Sequence, residues 1–232
     1  MAHLSGGERA RYVQGMFARI ARRYDLMNRL MTAGQDVRWR REVIRRAALP
    51  QDGLLLDLGA GTGDLARQAL LQSPGSSAVA ADFTLEMMLV GRQRPAARLD
   101  WSAADALYLP FPDERFDAVV SGFLLRNVSD LPQALAEQRR VLRPGGRIVA
   151  LDTTQPVKNP LTPLIQIHLH TVIPALGRLV AGDAEAYRYL PDSTEGFLRA
   201  ETLAECIQAA GFREVGFRRQ MLGTVAIHWG IK

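Results

Sequence analysis

Between Leu56 and Leu65 the chain reads Leu-Asp-Leu-Gly-Ala-Gly-Thr-Gly-Asp-Leu, a glycine-rich stretch joining an apolar run to a helical pattern. Glycines at 59, 61 and 63 permit a tight turn and let the backbone come close to a ligand at the carboxyl edge of a sheet. The spacing is GxGxG, and Asp64 stands where a dinucleotide-binding turn carries its third glycine or alanine. A pyrophosphate at a helix N-terminus gains nothing from an added carboxylate. A nucleoside without phosphate that carries an ammonium and a sulfonium suits the flanking acids Asp57 and Asp64 better, and S-adenosylmethionine is such a ligand. Asp82 closes the next apolar run, roughly 20 residues on, where a carboxylate can accept both ribose hydroxyls. Asp105 ends the third run, where it can take a hydrogen bond from an adenine amino group while Ala106 lies beside the ring. The alternative for each of these acids is to cap the helix that follows.

The elements that must position these groups are legible from Gly53 onward, where short apolar runs alternate with helical segments, the pattern of βαβ units and a parallel sheet. Strands are expected at Leu54–Gly59, Ser76–Asp82, Leu99–Asp105, Arg115–Phe123 and Arg147–Asp152, and helices at Asp64–Gln72, Leu85–Arg94 and Leu131–Leu142. Pro144-Gly145-Gly146 reads as a turn that stops the last helix and feeds the fifth strand. A helix over Ala200–Ala210 stopped by Gly211, then two β-like runs joined through Leu222-Gly223, predict a closing hairpin with an antiparallel strand at the sheet edge. The expectation is an α/β, Rossmann-like, mostly parallel seven-stranded sheet with an antiparallel edge strand and helices on both faces. It forms a single domain over 1–232, with an N-terminal helical cap at about 8–50 and a helical insertion at about 155–198, the latter apolar in patches and interrupted by prolines.

At 232 residues, 47% hydrophobic and 23% charged, the composition is that of a soluble globular domain. No apolar leader and no run long enough to span a bilayer are present, so a cytoplasmic location is expected, with peripheral contact at the inner face of the membrane as an extension. The single cysteine, Cys206, excludes an internal disulfide, and no metal site is expected. The net charge of +5 is carried largely by arginines ahead of the first strand, among them Arg19, Arg22, Arg23, Arg29, Arg38, Arg40, Arg41, Arg45 and Arg46. They alternate with apolar residues at helical spacing. That pattern fits a solvated helix face first and a basic amphipathic surface for anionic lipid second. A nucleic-acid-binding module is disfavoured by the absence of RNA-binding motifs and by the glycine loop with its downstream acids.

The segments LDLGAGTGDL, AD followed by EMM, LPFPDERFD, LRNVSD and VLRPGGR resemble class I methyltransferases. YDLMN within MFARIARRYDLMNRLMTAGQDVRWRR, together with LRNVSD, AEAYRYLPDS and TVAIHWGIK, is similar to the demethylmenaquinone and ubiquinone biosynthesis C-methyltransferases over nearly the whole chain. The resemblance implies S-adenosylmethionine as cofactor, with Thr62 and Asp82 at cofactor-binding positions and Asp105-Ala106 at an adenine-contacting pair. The full cofactor set is Asp57, Gly59, Gly61, Thr62, Gly63, Asp82, Asp105 and Ala106. Three departures border the acceptor pocket: Gly122 stands where ubiquinone-type members commonly have serine, Leu124 replaces a glycine, and Asp152-Thr153-Thr154-Gln155-Pro156 replaces Glu-Phe-Ser-Lys-Pro.

The resemblance implies C-methylation of a polyprenylated quinol, with demethylmenaquinol favoured by the departures at Gly122 and Leu124. A 2-polyprenyl-6-methoxy-1,4-benzoquinol, or another small lipophilic acceptor, is the alternative. Such chemistry needs an acceptor near the quinol oxygen and tight positioning of ring carbon against methyl. Arg126 and Asn127, just after the fourth strand, are placed to stabilise an oxyanion and orient the ring, while Tyr24, His170 and His168 are candidate proton acceptors or relays. The alternative for each histidine is a satisfied place in an apolar pocket. Oligomeric state is left open, a homodimer included.

Overall fold

The computed structural model describes residues 6–94, 96–155, 160, 162–181 and 183–232. Three helices come first: α1 (Gly6–Ile20), α2 (Tyr24–Met31) and α3 (Gln35–Ala47). The alternating region follows as β1 (Leu54–Leu58), α4 (Asp64–Gln72), β2 (Ser77–Asp82), α5 (Leu85–Arg92), β3 (Leu99–Ala103), β4 (Phe116–Gly122), α6 (Leu131–Val141) and β5 (Leu142–Thr153). A largely helical segment comprises α7 (Thr162–Ile167), a π-helical turn (His168–Val172), α8 (Ile173–Leu176), a second π turn (Gly177–Ala181) and α9 (Ala184–Glu195). The chain closes with α10 (Ala200–Ala209), β6 (Arg213–Gln220) and β7 (Val225–Ile231).

The seven strands lie in the order β3-β2-β1-β4-β5-β7-β6, with β1 to β5 parallel. The expected antiparallel strand is β7; it pairs antiparallel with β5 on one side and β6 on the other, so this side of the sheet ends in a hairpin. Strand order reverses between β1 and β4. In an open α/β sheet that reversal opens a crevice beyond the carboxyl ends of the strands, which is where a ligand can reach the backbone.

Period-2 alternation explains why the strands carry apolar residues throughout. Leu56, Leu58, Val119 and Ile148 point to one face and pack with Leu135, Ile207 and Phe212, whereas Leu55, Val120, Val149 and Ile227 point to the other and pack with Trp39, Val43 and Ala66. Both faces are covered, as a parallel sheet requires. A third cluster joins Met16, Ile20 and Met27 of the N-terminal helices to Ile173, Tyr187 and Tyr189 of the later helical segment. Two parts of the chain about 150 residues apart in sequence thus form one roof over the strand ends.

The structure corrects one boundary. Pro144-Gly145-Gly146 is not a turn ahead of the fifth strand; β5 begins at Leu142, directly after α6, and these residues form an irregularity within it. The register steps from Phe116 opposite Leu142 to Ala118 opposite Arg147. Gly145, at φ +78°, supplies the conformation a bulge needs, and the carboxyl terminus stitches it down through Gly145 N–H to Lys232 O (3.1 Å) and Lys232 N–H to Gly146 O (2.9 Å).

Candidate active site

The glycine loop leaves β1 with three left-handed residues, Gly59 (φ +66°), Gly61 (φ +56°) and Gly63 (φ +79°). A Cβ on Gly59 would lie 2.8 Å from Leu124, and one on Gly63 would lie 2.7 Å from the Trp101 ring. The first glycine therefore serves the cleft and the third serves packing of α4 against β3. Beneath the loop, Asp57 is buried; its Oδ2 accepts the Ala66 N–H at 2.9 Å, tying down the first turn of α4. Its Oδ1 is buried with no partner among the described residues. Burial pushes the Asp57 carboxyl up to about 7, against the Ala66 hydrogen bond and helped by the negative charges of Asp82 and Asp64.

Asp82 ends β2 facing the loop. Its Oδ2 accepts the Gly61 N–H (2.6 Å) and its Oδ1 the Thr84 N–H (2.7 Å). Burial raises its carboxyl, and these backbone donors oppose the shift. Asp105 accepts the Leu107 N–H at 2.9 Å. Around these groups runs a cleft lined by Gly59, Gly61, Asp82, Phe83, Thr84, Met87, Asp105, Ala106 and Leu107, roofed by Ala10, Val13, Gln14 and Phe17 of α1. Polar groups such as Asp82, Thr84 and Asp105 set among apolar walls such as Phe17, Phe83 and Met87 suit a nucleoside bearing a charged tail. The buried, unpartnered Asp57 oxygen and the glycine cradle fit the cationic cofactor that the sequence suggests.

Of the expected cofactor residues, Gly59, Gly61, Asp82, Asp105 and Ala106 line this cleft, whereas Asp57, Thr62 and Gly63 do not. Thr62 is buried, and its hydroxyl donates to Asp25 Oδ1 at 2.7 Å. Asp25, Arg94, Asp64, Arg40 and Asp36 then form a continuous chain of ion pairs at 2.9–3.1 Å. Asp64 is thereby committed to arginines rather than to the cleft. Sequence reasoning missed Asp25, although it lies within the YDLMN segment that carries part of the resemblance.

A second, larger cavity of about 620 Å³ lies beyond the first, walled by Met31, Trp39, Ile165, Leu169, Ile173 and Val225 among others. Tyr24 and Phe123 line both cavities. Phe123 holds a left-handed conformation (φ +61°), fixed by its N–H to Leu151 O (2.7 Å) and by Asn127 Nδ2 donating to its carbonyl (3.0 Å). Such strain persists where neighbours over-determine it. Arg126 lines the second cavity and is almost wholly buried; its Nη1 donates to Asp152 Oδ1 at 2.7 Å, and its guanidinium lies 5.2 Å from the Phe123 ring centroid. Asp152 also accepts the Arg126 backbone N–H (3.2 Å) and the Thr153 N–H (2.8 Å). Asn127 lines the first cleft and accepts the Tyr189 hydroxyl at 2.9 Å. Burial raises the Tyr24 phenol, partly offset by its hydrogen bond with Asn28 and by the Arg126 charge.

The expectation for His170 is not met by the geometry. Its ring is exposed, pairs with Glu195 at 2.8 Å and lines neither cavity. His168, two residues earlier, lines the second cavity with Nε2 3.1 Å from Met31 O. Residues two apart on a helix do not share a face, so only one of the two can look inward.

The ubiE/COQ5 methyltransferase family profile matches residues 5–232. The chain belongs to this family. It is 48% identical over 221 residues to a ubiquinone/menaquinone biosynthesis C-methyltransferase of Desulfotalea psychrophila, covering 95% of this chain and 90% of that protein. It is 44% identical over 218 residues to a demethylmenaquinone methyltransferase of Thermus thermophilus, covering 93% and 99% respectively. A solved S-adenosylmethionine-dependent methyltransferase of Thermotoga maritima shares the fold at a TM-score of 0.64 and 17% identity, covering 95% of this chain and 99% of that one. The chain is an S-adenosylmethionine-dependent methyltransferase of the Rossmann-like class, and S-adenosylmethionine is its cofactor.

Proposed function

We propose that this methyltransferase acts on a ring carbon of a polyprenylated 1,4-quinol, demethylmenaquinol foremost, to give menaquinol. The observation that carries the reading is the pair of cavities meeting at Tyr24 and Phe123, a cleft bearing Asp82 and Asp105 on one side and a largely apolar chamber holding the buried Arg126 on the other. A quinol ring in the chamber, with its isoprenoid tail along Ile165, Leu169 and Ile173, presents its carbon toward the cleft. The names of the relatives agree with such an acceptor. The relative named for both quinones keeps the methoxy-benzoquinol reading as the alternative.

Gly59, Gly61, Asp82, Asp105 and Ala106 would hold S-adenosylmethionine along the cleft, with Asp57, Thr62 and Gly63 supporting the loop from beneath. When bound, the cofactor supplies an electrophilic methyl group on a sulfonium. Arg126, fixed by Asp152, stabilises negative charge on the quinol oxygen, a role suited to a guanidinium that keeps its proton. Asn127 and Phe123 hold the junction between the cavities at fixed geometry, which limits the approach of carbon to methyl. Tyr24, kept neutral by burial, donates a hydrogen bond rather than acting as a base.

The whole chain works as one methyltransferase domain, its cap and insertion forming the chamber roof. Among the described residues no helix is long and apolar enough to cross a membrane. Access to the tail is through the surface: Ile167, Val172 and Leu222 line the chamber and are also exposed, and Leu26, Leu30 and Leu179 are exposed apolar side chains on the same helical roof. With Arg22 and Arg23 exposed beside α2, this surface suits an anionic bilayer at its cytoplasmic face. Flotation with liposomes at low salt tests that part; absence of binding with anionic lipid present would remove it and leave the enzyme reading intact. For the acceptor, a naphthoquinol and a methoxy-benzoquinol of equal tail length are offered together. Preference for the naphthoquinol is expected, and turnover of the benzoquinol alone would reverse the order of the two readings.

A further inference from the structure

Methylation of a ring carbon releases one proton, and the chamber must contain something to take it. Among the described residues lining the chamber, only Tyr24, Arg126 and His168 can titrate. A guanidinium keeps its proton throughout the physiological range, and burial drives the Tyr24 phenol upward, away from the phenolate that a base requires. His168 remains. Its Nε2 faces the carbonyl of Met31 at 3.1 Å. A carbonyl only accepts, so in the neutral ring Nε2 carries the hydrogen and Nδ1 carries the lone pair. Among the described residues Nδ1 has no hydrogen-bond partner, and it is not one of the buried polar atoms sealed from solvent. His168 opens the π-helical turn at 168–172, and such turns recur at functional positions because they re-aim a side chain without ending the helix.

We infer that His168 is the group that takes the hydroxyl proton of the bound quinol, an assignment that rests on the quinol reading above. The O–H bond breaks and its proton binds the Nδ1 lone pair, giving an imidazolium. The bonding pair stays on oxygen, beside the Arg126 guanidinium, and delocalises onto the ring carbon that is methylated. That carbon then loses its own proton, which returns to the oxygen, so one net proton leaves from the imidazolium to water. Among the described residues of the elements packed around His168, Asp25 is paired with Arg94, Arg29 with Asp36, and Glu195 with His170.

His168→Gln tests this. The glutamine amide can still donate to Met31 O but offers no basic nitrogen. At pH 7 the change is expected to lower kcat/KM for the reduced naphthoquinol by about 10²–10⁴-fold. The deficit should shrink by about tenfold per pH unit upward, as more quinol arrives already ionised. The second readout is the absorbance of the bound quinol under anaerobic conditions: the red-shifted band of the ionised form appears with the wild-type protein and is missing with H168Q. Activity within threefold of wild type, or a deficit equal at every pH, overturns the assignment. If H168Q does not fold, the wild-type titration decides alone, and absence of the ionised band overturns it. Failure of the wild-type protein to methylate any quinol would instead count against the acceptor class.

Discussion

Replacing Asp57 by asparagine separates what this carboxylate costs the fold from what it gives the cofactor. Buried beneath the glycine loop with one oxygen unpartnered, Asp57 titrates at about 7 in the folded protein. In the unfolded chain an aspartate titrates near 3.9. The folded state therefore holds its proton more tightly, and the sign follows: stability is full below about pH 4, falls as pH rises toward 7, and levels off above that. The gap between the folded and unfolded values corresponds to about 4 kcal/mol, of which about 2.5 kcal/mol is lost between pH 5 and pH 8. An asparagine side chain in its place would keep the acceptor for the Ala66 N–H and carry no charge, so D57N should escape this loss. Urea unfolding of the cofactor-free proteins at the two pH values measures it: wild type is expected to weaken relative to D57N by about 2.5 kcal/mol on going to pH 8. A cationic cofactor above the loop favours the ionised form. Binding to wild type at pH 7 should then release about half a proton, seen by calorimetry in buffers of different ionisation enthalpy, and D57N should release none. A constant stability difference between the two proteins across this pH range would refute the reasoning.

Arg126→Met strands Asp152, which is 1% exposed, and is expected to cost about 3–5 kcal/mol, the usual penalty for leaving one partner of a buried pair; a cost below about 1 kcal/mol in urea unfolding would show that Asp152 is satisfied by its backbone donors. Gly63→Ala places a methyl 2.7 Å from the Trp101 ring at φ +79°. Thermal unfolding should report a loss of about 2–4 kcal/mol from left-handed strain plus overpacking. His170→Ala breaks an exposed pair with Glu195, so its stability should change by less than about 1 kcal/mol and its methyl-transfer rate should match wild type; a drop of tenfold or more would return His170 to the site.

The glycine loop and the two strand-end acids were legible in the sequence because each rests on a local rule. Positive φ at three alternate positions demands glycine, and a period-2 apolar run ending in aspartate marks the carboxyl edge of a strand. What the sequence hid is set by geometry at a distance. Thr62 and Asp25 are 37 residues apart, and nothing in their spacing announces that the threonine hydroxyl is used on the cap helix. In the sequence Asp152 stands out only as a departure from the family pattern, yet it is the partner that holds Arg126. His168 and His170 could not be separated beforehand, since a change from α to π winding shifts which residue faces inward. Pro144-Gly145-Gly146 has the composition of a turn, and a bulge inside a strand uses the same residues for the same conformational reason.

The central claim is carbon methylation of a reduced quinone. The most direct test supplies S-adenosylmethionine carrying an isotopically labelled methyl group to the purified protein with demethylmenaquinone, chemically reduced and anaerobic in one arm and oxidised in the other. Mass spectrometry then locates the label. The account expects labelled menaquinone from the reduced arm, with the methyl on the ring carbon, and none from the oxidised arm. Label on oxygen as a methyl ether, equal product from the oxidised quinone, or cofactor binding with no transfer in either arm would contradict it.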